Sequence, residues 1–419
     1  MNNFNQKPPS FKPFSIGTIP GDWEVKKLKE ILLEDRLGGN YENAEDNNGI
    51  PVIKMGNLDR GNIKINKLQC LPVNEEYNKE DVLLEGDLLF NTRNTIDLVG
   101  KVAIWRNELP FAIYNSNLMR MKFDEKLIAS NLFMNYAFNS HYGLSQLRGI
   151  ATGTTSVAAI YGRDLEKVKF LIPPRLEQTA IATLLGTWDT AISKTNALIT
   201  QKELRKKWLM RQLLMGKKRV KGFEKEKWKI KLLDDVLIPV SRSVDKPLSS
   251  FLALGIKSHG KGTFLKHDFD PVKIEMETLY TVKENDLIVN ITFAWEGAIA
   301  IVKKEDDGAL VSHRFPTFIF DPTSGVIDFF RHLILQPKFK YLMDLISPGG
   351  AGRNRVLSKK DFLKLEVKLP PMEEQTAIAQ VLQAADKEIS LLKAKLEKLK
   401  EQKKGLMQVL LTGKMRLEF

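Results

Sequence analysis

A single cysteine, Cys70, stands in a chain of 419 residues. That excludes an intrachain disulfide and fits a reducing, cytoplasmic setting. The five histidines show no ligand spacing with one another or with the cysteine, which speaks against a metal centre. No run of about 18 apolar residues occurs, so no membrane-spanning helix is expected. Residues 1–20 are polar and proline-rich without an apolar signal core, and read as a flexible or surface-draped leader.

Catalytic signatures are as scarce. Residues 255–262, Gly-Ile-Lys-Ser-His-Gly-Lys-Gly, approach a phosphate-binding loop, but Gly262 stands where Ser or Thr would hold magnesium. Ile172-Pro173-Pro174-Arg175 and Leu369-Pro370-Pro371-Met372 lack the leading Asn or Asp and the trailing aromatic of an adenine-methyltransferase loop. No glycine-rich S-adenosylmethionine loop is evident, and no carboxylate–lysine nuclease cluster stands out. The chain is therefore expected to catalyse nothing by itself.

What the chain does have is length, basic charge and a repeat. It is 43% hydrophobic and 27% charged, and long enough for two or more cores. The net charge of +13 and pI near 9.4 suggest a polyanionic partner, most simply nucleic acid. Residues 164–217 align without a gap on residues 361–414, with 23 of 54 positions identical. An internal repeat of that length decides the reading of everything around it.

Each copy reads as one long helix. Pro173-Pro174 and Pro370-Pro371 suit a helix start, Glu177 and Glu374 suit the positive end of its dipole, and Gly216 and Gly413 suit a C-terminal cap. At about 40 residues each helix spans roughly 60 Å. In the second copy Ala385, Ile389, Leu392, Leu396, Leu399, Lys403, Leu406 and Leu410 follow a 4-3 spacing, the seam of a left-handed coiled coil. Trp188, Ile192, Thr195, Ile199, Lys202, Lys206, Leu209 and Leu213 hold the matching, weaker seam. Neither helix persists alone in water, and the simplest partner for each is the other.

Two globular segments alternate with the helices, so the expected plan is leader 1–20, globule 21–170, helix 171–222, globule 223–368 and helix 369–419. Short apolar runs broken by Gly and Asn, at 49–58, 82–91 and 99–105, predict strands, and 127–138 predicts a helix. The globules echo one another. Trp228-Lys229-Ile230-Lys231 parallels Trp23-Glu24-Val25-Lys26, and residues 284–290 parallel 85–91 with Asn285 in place of Gly86. Loops rich in small residues, 149–156 and 348–355, precede the two helices.

This order, with Pro-Pro-x-x-Glu-Gln-x-x-Ile at both helix starts, resembles the specificity subunit of type I restriction–modification systems, from residue 21 to residue 414. The resemblance implies an α+β chain of two target recognition domains separated by two helices that pair as an antiparallel coiled coil. Each domain would read half of a split, asymmetric DNA site, and the helices would set the unread spacer. It further implies modification subunits that supply S-adenosylmethionine and methylate adenine, and restriction subunits that use ATP and Mg to translocate and cut DNA. A stand-alone DNA-modifying or DNA-cleaving enzyme, or a coiled-coil scaffold with no DNA role, remain the alternatives.

Candidate DNA contacts follow from residue type and loop position. Arg93 and Asn94, after the strand at 88–91, and Thr154, Thr155 and Ser156, before the first long helix, are candidates in the first globule, with Lys54 and Arg60 on phosphates. In the second globule they are His259, Lys261, Arg353, Asn354 and Arg355, where glycine flanks let backbone approach a groove.

Overall fold

A computed structural model describes residues 10–42, 48–154, 157–349 and 355–417. The chain divides into two compact units, Met1–Asn196 with Lys395–Phe419, and Ala197–Ala394. The boundaries fall inside the long helices, not at their ends. Each unit is thus one globule, the N-terminal half of the helix that follows it and the C-terminal half of the other helix.

The units share a frame. In the first, a four-stranded sheet runs Leu32–Leu37, Leu118–Phe123, Leu88–Asn91, Val102–Ile104. In the second the order is Leu237–Val240, Thr317–Phe320, Leu287–Val289, Ile299–Ile301. All pairs in both sheets are antiparallel. The buried faces of these strands meet aromatic helices: Phe90, Phe133 and Phe138 in one core, Phe318, Phe329 and Phe330 in the other. A two-stranded ribbon joins the start and end of each globule, Glu24–Lys27 with Lys169–Ile172 and Lys229–Leu232 with Glu366–Leu369.

A second sheet differs between the copies. In the first unit it has three strands, Ile113–Tyr114, Ile50–Ile53 and Gln69–Leu71. In the second it has five, in the order Ser243–Asp245, Thr278–Thr281, Leu310–Val311, Phe251–Ile256, Thr263–Phe269. The strand turn with Gly86 in one copy and Asn285 in the other needs φ of +91° and +71°. Asparagine is one of the few side chains that tolerate that region, so the exchange preserves the turn.

The long helices are Arg175–Leu213 and Met372–Leu410, 39 residues each. Gly216 at φ +65° and Gly413 at φ +70° end them. The amides of Lys218 and Met415 reach back six positions to the carbonyls of Gln212 and Val409, closing each helix end around its glycine. Among the seam residues Ile199, Leu213, Ile389, Leu396 and Leu410 are buried, and Trp188, Ile192, Leu209, Leu392, Leu399 and Leu406 are half-buried. The lysines that weaken the seam on paper pair with the other helix. In the second unit Lys206 meets Asp386 and Lys202 meets Glu388; in the first, Lys403 Nζ lies 2.5 Å from Asp189. In the second unit the partner number falls as the helix number rises, so the helices run antiparallel there.

The Glu-Gln pair of each helix start is a hub. Glu177 is fully buried and accepts from Trp23 Nε1 at 3.0 Å and from Arg416 Nε and Nη2 at 2.6 and 2.7 Å. Glu374 does the same with Trp228 Nε1 at 3.0 Å and Arg219 at 2.7 and 2.6 Å. Gln178 bonds Ala129 N, Leu127 O and Pro173 O; Gln375 bonds Val326 N, Ser324 O and Pro370 O. Each arginine follows the glycine cap of the opposite helix, so one helix end is tied to the other helix start.

Of the leader, residues 1–9 lie outside the described residues, and residues 10–20 are folded onto the first unit. Phe11–Phe14 and Gly17–Pro20 pair as an antiparallel hairpin, Ile19 is fully buried, and Phe14 and Ile16 pack on the first core. Phe14, Ile16 and Ile19, spread between prolines and polar residues, dock it.

Candidate nucleic-acid interface

The first unit assembles several of its candidates on one small sheet. Arg93–Asn94 pairs with Ala158–Ala159, which pairs with Thr152–Gly153. Thr154 closes the hairpin through its amide to Val157 O at 2.8 Å. Gly153 has φ +136°, and a Cβ there would lie 2.3 Å from Val157 O, so only glycine makes this turn. Arg93 is exposed, as are Val157 and Tyr161 beside it. Thr155 and Ser156 lie outside the described residues.

Lys54 and Arg60 sit on the connection between Ile50–Ile53 and Gln69–Leu71. Asn57 shapes it, accepting from Lys54 N at 3.0 Å and donating to Lys64 O and Lys67 O at 2.9 and 3.0 Å. Lys54 donates to Gln69, and burial holds its ammonium below the usual lysine range. Arg60 reaches Asp97 O at 3.4 Å, in the turn that follows Arg93 and Asn94. Burial first, and then Arg148, lowers the Arg60 guanidinium. Arg148, from the helix His141–Ile150, carried no signal in the sequence because 88 residues separate it from Arg60. A half-buried guanidinium beside an exposed one, Arg60 with Arg148, suits a phosphate.

The corresponding connection of the second unit, between Phe251–Ile256 and Thr263–Phe269, carries His259 and Lys261. It is the stretch that approached a phosphate-binding loop, and its glycines serve a hairpin. His259, Gly260 and Gly262 take φ of +62°, +64° and +79°, while Gly255 lies under the Phe264 ring, 2.4 Å from where a Cβ would stand. His259 N and Gly260 N each donate at 2.9 Å to Glu296 O and Gly297 O. His259 Nδ1 lies 3.5 Å from Lys340 Nζ. Lys257 and Lys266 flank the Phe264 ring at 5.9 and 5.8 Å, a cationic and aromatic pairing that charge counting alone does not reveal.

Arg355 is not placed as a base reader. Its guanidinium donates to Ser347 O and Asp344 O at 3.0 and 2.9 Å, pairs with the Asp344 carboxylate at 2.7 Å and lies 5.3 Å from the Trp295 ring centroid. It fastens the end of the helix Pro337–Leu345. Arg353 and Asn354 lie outside the described residues. In both units a backbone bond at the same place ties the chain before the long helix to the globule, Ile160 N to Thr92 O at 3.0 Å and Leu357 N to Ile291 O at 2.9 Å. The equivalent frames therefore present non-equivalent loops. No helix is long and apolar enough to cross a membrane among the described residues.

The fold and this loop arrangement define a duplicated recognition protein built on paired helices. Residues 20–203 and 255–401 match the family described as the type I restriction modification DNA specificity domain, and the chain belongs to that family. Among its relatives is the MjaX type I restriction enzyme specificity subunit of Methanocaldococcus jannaschii, 29% identical over 98% of both chains. The MjaVIII specificity subunit of the same organism is 24% identical, covering 98% of this chain and 97% of that one. A similar solved structure is the type I restriction–modification S subunit from M. genitalium, at TM-score 0.57 and 13% identity, covering 97% of this chain and 99% of that one. The HsdS subunit from Thermoanaerobacter tengcongensis aligns at TM-score 0.50 and 16% identity, over 95% of this chain and 98% of that one.

Proposed function

We propose that this chain is the non-catalytic DNA-reading subunit of a type I restriction–modification complex, each globule taking one half of a bipartite, asymmetric site. The observation that carries the reading is the duplicated frame with dissimilar tips. The Lys54/Arg60 connection and the His259/Lys261 connection leave corresponding strands, yet share neither length nor sequence. A common frame suits one duplex backbone, and different tips suit different bases. Arg93, Asn94 and the Thr154–Ser156 turn are the base-reading candidates of the first globule; Arg60 with Arg148 contacts phosphate. His259 and Lys261, with Lys257 and Lys266, serve the second, along with Arg353 and Asn354. Arg355 supports the loop that carries them.

The helix pair sets the unread spacer. Modification subunits bring S-adenosylmethionine, and restriction subunits, where present, bring ATP and Mg. The complex works in the cytoplasm, where its DNA is.

The test is a methylome. The chain is co-expressed with its neighbouring modification subunit in a methylation-free host and modified adenines are sequenced. A split motif with one methylated adenine on each strand is expected, and exchanging the globule at residues 21–170 should change one half only. A motif unaltered by that exchange would refute the reading.

A further inference from the structure

We propose that a groove in the second unit docks an acidic protein segment carrying one large apolar anchor. The groove has a volume of about 550 Å³, and its floor includes Trp208, Met215, Trp228, Phe339 and Leu342. Trp208 and Met215 are 45% and 48% exposed. Trp208 lies on the last turns of the first long helix and Met215 just past its end, both off the seam that Leu209 and Leu213 occupy.

The repeat supplies an internal comparison. The groove runs between the helix Pro337–Leu345 and the strand Glu366–Leu369. The first unit has the same two elements, the helix His141–Ile150 and the strand Lys169–Ile172, and there the crevice is shut. Gln146 donates to Lys169 O at 2.8 Å and accepts from Lys169 N at 2.9 Å, bridging helix to strand. The leader hairpin closes the rest, where Phe14 meets the Tyr142 ring edge-on at 5.8 Å. In the second unit Leu342 replaces the bridging glutamine and Lys338 the tyrosine. The segment that precedes Trp228 is drawn instead towards Glu374 by Arg219.

The rim decides the occupant. Arg211, Lys217, Lys338 and Lys368 line the groove and are exposed, against one acid, Glu366. None of the four basic residues has an ion-pair partner among the described residues. Lys218 lies 4.8 Å from the Trp208 ring centroid. An unpaired basic rim calls for carboxylates or phosphates. The floor of tryptophan, methionine and phenylalanine offers nothing to a phosphate, and much to a buried aromatic or leucine side chain. A peptide with such an anchor between Asp and Glu residues satisfies both. This inference does not depend on the DNA reading.

The probe is an array of synthetic heptapeptides with Phe, Trp, Leu or Ser at the centre and acidic, neutral or basic flanks, incubated with the full-length chain. Peptides retained best are measured by fluorescence anisotropy against wild type, Trp208→Ala, Met215→Ser and Lys338→Glu, each checked by circular dichroism. Acidic flanks with an aromatic or leucine centre should bind best. Trp208→Ala or Met215→Ser should weaken binding about tenfold, and Lys338→Glu also weakens it. The proposal falls if no peptide is retained, or if retention ignores the central residue. It falls too if random-sequence duplex DNA displaces every bound peptide while Trp208→Ala and Met215→Ser bind normally, for the rim is then a phosphate surface.

Discussion

Removing Arg219 tests the hub at the second helix start. The Glu374 carboxylate has no exposed surface, and three donors hold it: two from Arg219, at 2.7 and 2.6 Å, and Trp228 Nε1 at 3.0 Å. Arg219→Ala leaves a buried charge with one donor. Breaking such a pair from one side costs about 3–5 kcal/mol, since the orphaned ion keeps its desolvation cost. Lys393 and Glu203, at 57% and 48% side-chain exposure, form a solvated pair that serves as a control; Lys393→Ala should cost about 0.5 kcal/mol. Glu374→Gln keeps an acceptor for Trp228 and removes the charge, so adding it to Arg219→Ala should recover roughly 2 kcal/mol. Urea denaturation followed by tryptophan fluorescence and circular dichroism reads all three. If Arg219→Ala costs no more than Lys393→Ala, or the double variant recovers nothing, the hub is not a structural tie.

Other perturbations probe other parts. Burial, ahead of the nearby Lys206, holds His332 below its ordinary 6.5, while Asp386 and Asp328 oppose the shift and Arg331 adds to it. The folded unit prefers the neutral ring, so this stabilisation is complete above about pH 6.5 and is lost as pH falls below that. His332→Phe should flatten the loss of melting temperature between about pH 7.5 and 5 that wild type shows. Asn285→Gly and Asn285→Ala both lose the 2.6 Å bond from Arg331, but only alanine is strained at φ +71°, so Asn285→Ala should cost about 1–2 kcal/mol more than Asn285→Gly in thermal unfolding. In the assembled methyltransferase, Arg60→Ala should weaken binding to specific and random duplexes alike and reduce the salt slope by about 1. Arg93→Ala should instead relax one base position by about 1–3 kcal/mol, read by competition binding.

The helix starts and the cap glycines were legible in the sequence because each depends on residues close together in the chain, and the duplication because its two copies align without a gap. The hub was only half legible. Glu177 and Glu374 read as dipole-favoured acids, while Arg416 lies 239 residues from its partner and Arg219 lies 155 from its own. The seam lysines looked like defects because the carboxylates that pair with Lys206 and Lys403 belong to the other helix. The hairpin of the leader was not legible because Phe14, Ile16 and Ile19 follow no single period. At the candidate interface, charge and position brought Arg93, Asn94 and Thr154 together. Nothing local distinguished Arg355, whose acceptors are backbone carbonyls and Asp344, from an arginine facing DNA.

The first core is finished by residues translated after the whole of the second unit. Leu410 and Leu411 are buried in the same cluster as Trp23, Phe90 and Ile181, and Arg416 supplies two of the bonds to Glu177. On the ribosome that globule emerges first, yet its core stays open until the opposite end of the chain is translated. At about 5–20 residues per second the wait is roughly 10–40 s. A premature stop near residue 400 would spare the whole of the second unit, Ala197–Ala394, and cripple the first. Nascent chains of this protein therefore expose an incomplete N-terminal core for most of their synthesis, and the burden on chaperones falls there.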